Sequence, residues 1–235
     1  CALLSKRLVI LTGLAGSGKT KLAQAFARWL SVQVGCYEVV AVGADWTGNE
    51  NVLGYPNGLD KETYISKTAL DLIIHAEGHE DIPHFLILDE MNLSHVERYL
   101  ADFLSSMESK EPLKLHDSAE TLKTEDAIPV PGKIAYPNNL FVIGTVNIDE
   151  TTYMFSPKVL DRAHVIEFKV TWDEIANGLE GGVQSELPAL RPEQVEEFMR
   201  VSHLTEKALP KEDHELLTEV LEDLHAALEG TRFVF

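Results

Sequence analysis

Short apolar runs alternate along the chain with segments whose apolar residues recur every three or four positions. That alternation predicts a parallel sheet covered on both faces. Residues 7–12 (RLVILT), 37–42 (YEVVAV), 85–88 (FLIL), 140–146 (LFVIGTV) and 165–170 read as five buried strands. Residues 19–30 read as a helix, with Leu22, Phe26 and Trp29 at helical spacing, and 63–76 as another. Ser94 and Glu97 have the spacing of a capping box and predict a helix carrying Val96, Leu100, Phe103, Leu104 and Met107 on one face. The polar stretch 109–139 contains 113–115 and 128–130, which are expected to pair as a hairpin.

The pattern changes near residue 171. Thr171 and Glu174 form a second capping box, and a glycine-containing stretch, 176–190, follows. A helix is expected from Pro192, since proline suits the first helical position. Another is expected over 211–229, with Leu217, Leu221, Leu224 and Leu228 inward and Gly230 as its stop. The expected organisation is an αβ domain over 1–171 and a small, incomplete helical subdomain over 172–235.

The 235 residues suffice for those two parts. No apolar run approaches the roughly 18–20 residues that span a bilayer, so no membrane partner is expected. The first residues run straight into a glycine loop without a cleavage site, which argues against a signal peptide. The chain starts at Cys1, almost inside a strand, and is expected to be a piece of a longer protein. Cys1 and Cys36 are expected to be reduced thiols of a cytoplasmic protein. The nine histidines are scattered and show no zinc spacing with them. The formal charge of −18, from 20 basic and 38 acidic residues, argues against a surface that is wholly a nucleic-acid glove. A local basic loop or another domain could still bind DNA.

The chemistry is concentrated in four stretches. Residues 13–20 (GLAGSGKT) fit G-x-x-x-x-G-K-[ST] between a strand and a helix. Glycines let a loop wrap a triphosphate, and the helix N-terminus turns its N–H groups toward the phosphates. Candidate nucleotide contacts are Gly13, Ala15, Gly16, Ser17, Gly18, Lys19, Thr20 and Leu22, with Lys19 neutralising phosphate oxygens. Thr20 and Asp89 are candidate Mg²⁺ ligands, Asp89 being delivered by the strand that ends in Asp89-Glu90. Glu90 is placed to polarise an attacking water. Asn147 ends another apolar strand and would reach the same crevice, because ligands sit at the carboxyl ends of strands in such sheets. Asp149 and Glu150 follow it, near a metal shell, a neighbouring subunit or solvent. Arg162 either pairs locally with Asp161 or reaches a neighbour's nucleotide as an arginine finger, and His164 beside it is read as structural. Trp46 and Tyr55 lie in the loop after the second strand, where they grip a substrate or pack the loop onto the core.

On residues 13–20, 85–108 (FLILDEMNLSHVERYLADFLSSME) and 144–168 (GTVNIDETTYMFSPKVLDRAHVIEF), the sequence resembles an AAA+ ATPase domain, and more narrowly the McrB-like NTPases of modification-dependent restriction systems. The resemblance covers roughly residues 5–170. It implies a P-loop three-layer αβα fold with a five-stranded parallel sheet and a helical lid. It also implies a ring, commonly a hexamer, with nucleotide sites between subunits. Lys19 and Thr20 take the Walker A roles, Asp89 and Glu90 the Walker B roles, Asn147 the sensor role and Arg162 the finger role. GTP or ATP with Mg²⁺, an McrC-like nuclease subunit and DNA are the implied substrate, cofactor and partners. The sequence departs from the family where Asn147-Ile-Asp149-Glu150 replaces NTAD and where Arg162 stands without further arginines. Arg232 is a weak match for a second sensor. A MoxR-like protein remodeller and a nucleotide-gated scaffold with little turnover are the alternatives.

Overall fold

The computed structural model describes residues 2–31, 33–148, 153–169 and 192–202. These belong to one compact unit, Cys1–Ser202, and the elements below are those of that unit. The second capping box, the loop 176–190, the helix expected over 211–229 and Arg232 lie outside the described residues.

In chain order the elements are α1 (Ala2–Ser5), β1 (Leu8–Gly13), α2 (Lys19–Leu30), β2 (Tyr37–Ala41) and α3 (Glu50–Leu53). Next come β3 (Gly54–Pro56), β4 (Tyr64–Ser66), α4 (Thr68–Glu77) and β5 (His84–Asp89), then α5 (Val96–Tyr99) and α6 (Ala101–Ser109). The short strands β6 (Leu113–Lys114), β7 (Leu122–Lys123), β8 (Pro129–Val130) and β9 (Lys133–Ile134) precede β10 (Leu140–Asn147), α7 (Pro157–Leu160) and β11 (Ala163–Glu167). A final described helix spans Pro192–Ser202. Among the described residues, no helix is long and apolar enough to cross a membrane.

Five strands form one parallel sheet in the order β11-β1-β10-β5-β2. Side chains alternate between its faces, and both faces are apolar. Leu8 and Ile10 join Leu86, Leu88, Leu140 and Val142 on one face, under Leu70 and Ile73 of α4 and Phe103 and Leu104 of α6. Val9 and Leu11 join Phe85, Ile87, Phe141 and Ile143 on the other, under Ala23, Ala27 and Leu30 of α2. Met199 of the Pro192–Ser202 helix belongs to this second cluster, and Phe198 sits 5.2 Å from Phe141, ring centre to ring centre. Helices thus flank a buried sheet, as the alternation in sequence predicts.

The buried stripe of α2 is Lys19, Ala23, Ala27 and Leu30, whereas Leu22 and Trp29 are exposed. Ala23 and Ala27 face the sheet, Phe26 packs edge-on against Phe85 with ring centres 5.8 Å apart, and Leu22 and Trp29 are left outside. Other expectations are corrected. Residues 64–66 form a strand against β3, so the helix expected from residue 63 begins at Thr68. The helix after Asp89 breaks at Leu100 into α5 and α6. The Ser94 hydroxyl does not cap it but donates to the carbonyl of Trp46, 2.5 Å away, and Glu97 lies beside His95. Residues 113–114 pair with 133–134, and 122–123 with 129–130, in place of the single expected hairpin. The fifth strand runs over Ala163–Glu167, not 165–170.

One side chain pins the approach to the sheet from below. Asn139 is buried just before β10, and its amide nitrogen donates to the carbonyls of Ala76 (3.0 Å), His79 (2.8 Å) and Ile82 (2.8 Å). It thereby ties the turn between α4 and β5 to the start of β10. Asn139→Ala would take one donor from each of those carbonyls, which keep the backbone N–H groups of His79 and Ile82 and the His84 ring as partners, and is expected to cost about 1–3 kcal/mol. Urea denaturation should show a lower midpoint with an unchanged slope.

Candidate functional site

Strand β10 lies between β1 and β5, and this interposition builds the site. Gly13, at the end of β1, is in register with Asn147 at the end of β10, and Asp89 ends β5 on the far side. Three chain segments more than 50 residues apart therefore present their carboxyl ends side by side, the usual position of a ligand crevice in an α/β sheet.

The loop after β1 wraps the N-terminus of α2. Gly16 and Gly18 adopt the left-handed region at φ 73° and 94°, which side chains other than glycine disfavour. A Cβ at either would meet nothing within 4 Å, so both glycines face open space above the loop. Leu14, Ala15 and Gly16 are exposed, while Ser17 and Gly18 are half-buried. Lys19 is buried at the base of the loop. Its ammonium donates to the carbonyls of Gly13 (3.0 Å) and Leu14 (2.6 Å) and to the Ser17 hydroxyl (3.3 Å). A cation and the N-terminus of a helix, with its positive dipole end, are thus gathered under one glycine arch.

Beside the arch, the Thr20 hydroxyl donates to Asp89 Oδ1 at 2.6 Å. Thr145, two residues before Asn147 on the same face of β10, donates to the same oxygen at 2.6 Å. The Thr145 hydroxyl in turn accepts the backbone N–H of Glu90 at 3.1 Å. Glu90 has the left-handed backbone of φ 54° and ψ 46°. For a residue with a side chain this costs on the order of 1–3 kcal/mol, and such strain concentrates at functional positions. It swings the chain off β5, and Asn147 Nδ2 lies 3.5 Å from Glu90 Oε1. Below the turn, the Tyr99 hydroxyl donates to the carbonyl of Met91 at 2.7 Å, and Gly144 leaves room for the Met91 side chain, whose sulfur a Cβ there would strike.

The structure therefore brings together Gly13, Lys19, Thr20, Asp89, Glu90 and Asn147. Leu22 stands exposed on the first turns of α2, beyond the arch. Arg162 is engaged elsewhere. It donates from Nε to the carbonyl of Leu104 (3.1 Å) and from Nη1 to that of Lys158 (2.8 Å), and it forms an ion pair with Glu108. Trp46 packs edge-on against Tyr99, with ring centres 5.3 Å apart, so it fastens its loop to the core, whereas Tyr55 is exposed. His164 accepts or donates a 2.7 Å hydrogen bond with the Ser5 hydroxyl at the opposite end of β11 from Glu167. Asp149 and Glu150 lie outside the described residues.

Sequence reasoning missed Thr145 as a member of the site. The signal was present, because residues two apart on a strand share a face and Asn147 had already been placed there. It also missed a second cluster. Cys36, His75 and His84 converge at the other end of the sheet, and burial holds the His84 imidazole down to about 4, so the ring is neutral at physiological pH.

No protein-family model matches the chain, and no curated protein matches it. Among solved structures, a chain of the HORMA:CdnC:Trip13 complex of E. coli MS115-1 is similar at 18% identity, over 84% of this chain, with a TM-score of 0.43. The present chain spans 59% of that one's length.

Proposed function

We propose that the chain is an AAA+ nucleoside triphosphatase, a cytoplasmic ring motor of a McrB-like restriction system that activates an McrC-like nuclease or translocates DNA. The observation that carries this reading is the Thr20–Asp89–Thr145 contact beneath a glycine arch, with Glu90 adjacent. The donor set fits Mg²⁺. Thr20 and Asp89 offer hard oxygen atoms 2.6 Å apart, and the space above Gly16 and Gly18 is open for phosphate. When bound, the ion would neutralise charge on the phosphate oxygens.

The remaining roles belong to the chain's own residues. The N–H groups of the arch and the start of α2 bind and orient the phosphates. Lys19 turns from its carbonyl partners toward phosphate oxygen. Glu90 orients a water for attack on the terminal phosphorus and accepts its proton, and Asn147, in contact with Glu90, fixes the carboxylate's direction. Thr145 holds Asp89 and the Glu90 turn in one register.

Arg162 would act on the site of a neighbouring subunit. In the single chain it is held by Glu108 and two carbonyls, so ring assembly has to exchange those partners for phosphate. Turnover per chain is therefore expected to rise with protein concentration across the assembly range. Arg162→Ala should flatten that rise and lower the maximal rate by roughly a thousandfold, the lower end of what arginine fingers contribute. Turnover strictly linear in protein would remove the trans role. The same engagement of Arg162 favours a second reading for the free chain, a nucleotide-gated scaffold with little turnover. Hydrolysis of GTP and ATP measured side by side, with and without methylated DNA, tests the whole proposal. DNA-stimulated GTP turnover supports the restriction motor, whereas ATP turnover indifferent to DNA supports a MoxR-like remodeller. Absence of turnover at concentrations where the chain forms rings would leave the scaffold.

A further inference from the structure

The second cluster lies at the opposite end of β5 from Asp89. Parallel pairing sets Tyr37 against Phe85, so Cys36, just before β2, and His84, the first residue of β5, are neighbours. The N–H of Phe85 also donates to the carbonyl of Cys36 at 2.9 Å, which fixes that juxtaposition. His75, near the end of α4, reaches down to them, and its Nδ1 is 2.7 Å from His84 Nε2. The Cys36 sulfur and one nitrogen from each histidine all lie within 4.8 Å of one another.

The surroundings are built to hold this arrangement. His84 Nδ1 is 2.8 Å from the carbonyl of Ile82. That bond places a proton on Nδ1 and leaves the Nε2 lone pair aimed into the cluster, the arrangement that orients histidine ligands around metals. Asn139 fixes the Ala76–Ile82 turn from which His84 emerges. Cys36 and His84 are fully buried, whereas His75 is half-exposed and stacks on His79 at 4.2 Å between ring centres, so the cluster opens to solvent on one side.

We propose that Cys36, His75 and His84 bind one zinc ion, with the open fourth position taken by water. A thiolate with two imidazoles is a donor set of the borderline softness that zinc prefers over Mg²⁺ or Ca²⁺. Zinc–nitrogen bonds of about 2.0–2.1 Å at a tetrahedral angle place two ligand nitrogens about 3.3 Å apart. The His75–His84 pair then opens by roughly half an ångström, a movement within reach of the half-exposed His75 ring. On binding, the Cys36 thiol releases its proton to solvent. The His75 proton passes from Nδ1 to Nε2, so the ring stays neutral. The ion would clamp α4 to β2 and β5 at the end of the sheet away from the phosphate arch. Its soft donors separate it from the hard-oxygen set of Thr20 and Asp89, and it stands whether or not the chain hydrolyses nucleotide.

Cobalt titration of the chain tests this. One Co²⁺ per chain is expected, with a thiolate-to-cobalt charge-transfer band in the near ultraviolet and intense tetrahedral visible bands, both abolished by added zinc. Cys36→Ser should eliminate the charge-transfer band. His75→Gln, at a half-exposed position that tolerates change, should keep the fold by circular dichroism and weaken cobalt binding by about tenfold or more. A folded parent chain without a charge-transfer band would overturn the proposal. So would cobalt affinity equal in the parent and His75→Gln chains.

Discussion

A Glu90→Gln chain is expected to bind nucleoside triphosphate as the parent does and to hydrolyse it about a hundredfold to ten-thousandfold more slowly. That is the range contributed by a positioned general base. Glutamine keeps the length and planarity of the side chain and can still accept a hydrogen bond from Asn147, so the 3.5 Å contact and the left-handed turn at residue 90 are retained. What is lost is the capacity to take a proton from water. Binding followed with a fluorescent nucleotide, and turnover followed by phosphate release, separate the two effects. Hydrolysis at the parent rate would remove Glu90 from the mechanism, leaving its strained backbone without the function proposed for it.

Lys19→Ala should act one step earlier. Hydrogen bonds from a charged group contribute about 1.5–3 kcal/mol each, so deleting the ammonium should weaken triphosphate binding by roughly tenfold to a hundredfold. Turnover should fall with it. In the free chain Lys19 also satisfies the carbonyls of Gly13 and Leu14, so the alanine variant leaves these with one donor fewer at the root of the arch. A thermal melt of the variant without nucleotide measures that separate cost. Affinity unchanged in a folded Lys19→Ala chain would show that the arch does not hold phosphate.

The sequence made the sheet legible because a strand covered on both faces has to be apolar at nearly every position. RLVILT, FLIL and LFVIGTV meet that demand as continuous runs. The glycine arch was equally legible, since Gly16 and Gly18 stand where a left-handed backbone and open space both require glycine. Pairings among short polar segments were not. Residues 113–114 join 133–134 by setting Leu113 opposite Ile134, both buried in the main core, a matter of tertiary fit rather than local pattern. The Ser94–Glu97 spacing misled because the Trp46 carbonyl, more than 40 residues away, offers Ser94 a better partner than the helix N–H groups do. The Cys36–His75–His84 cluster was invisible for a similar reason. Metal motifs are read from close spacing, whereas here the spacing arises only when β2 pairs with β5.

The strand order also governs how the protein is made. Strand β1, near the start of the sequence, has as its neighbours β10 and β11, which begin at Leu140 and Ala163. At roughly 5–20 residues per second, about 130 residues of synthesis separate Leu8 from Val142, an interval on the order of ten seconds. Throughout that interval an apolar ribbon stands with both edges bare, the condition that invites pairing with other chains. Strands β2 and β5 can meet earlier, but they cannot shelter it. Strand β1 is closed from both sides only once β10 and β11 have both been made.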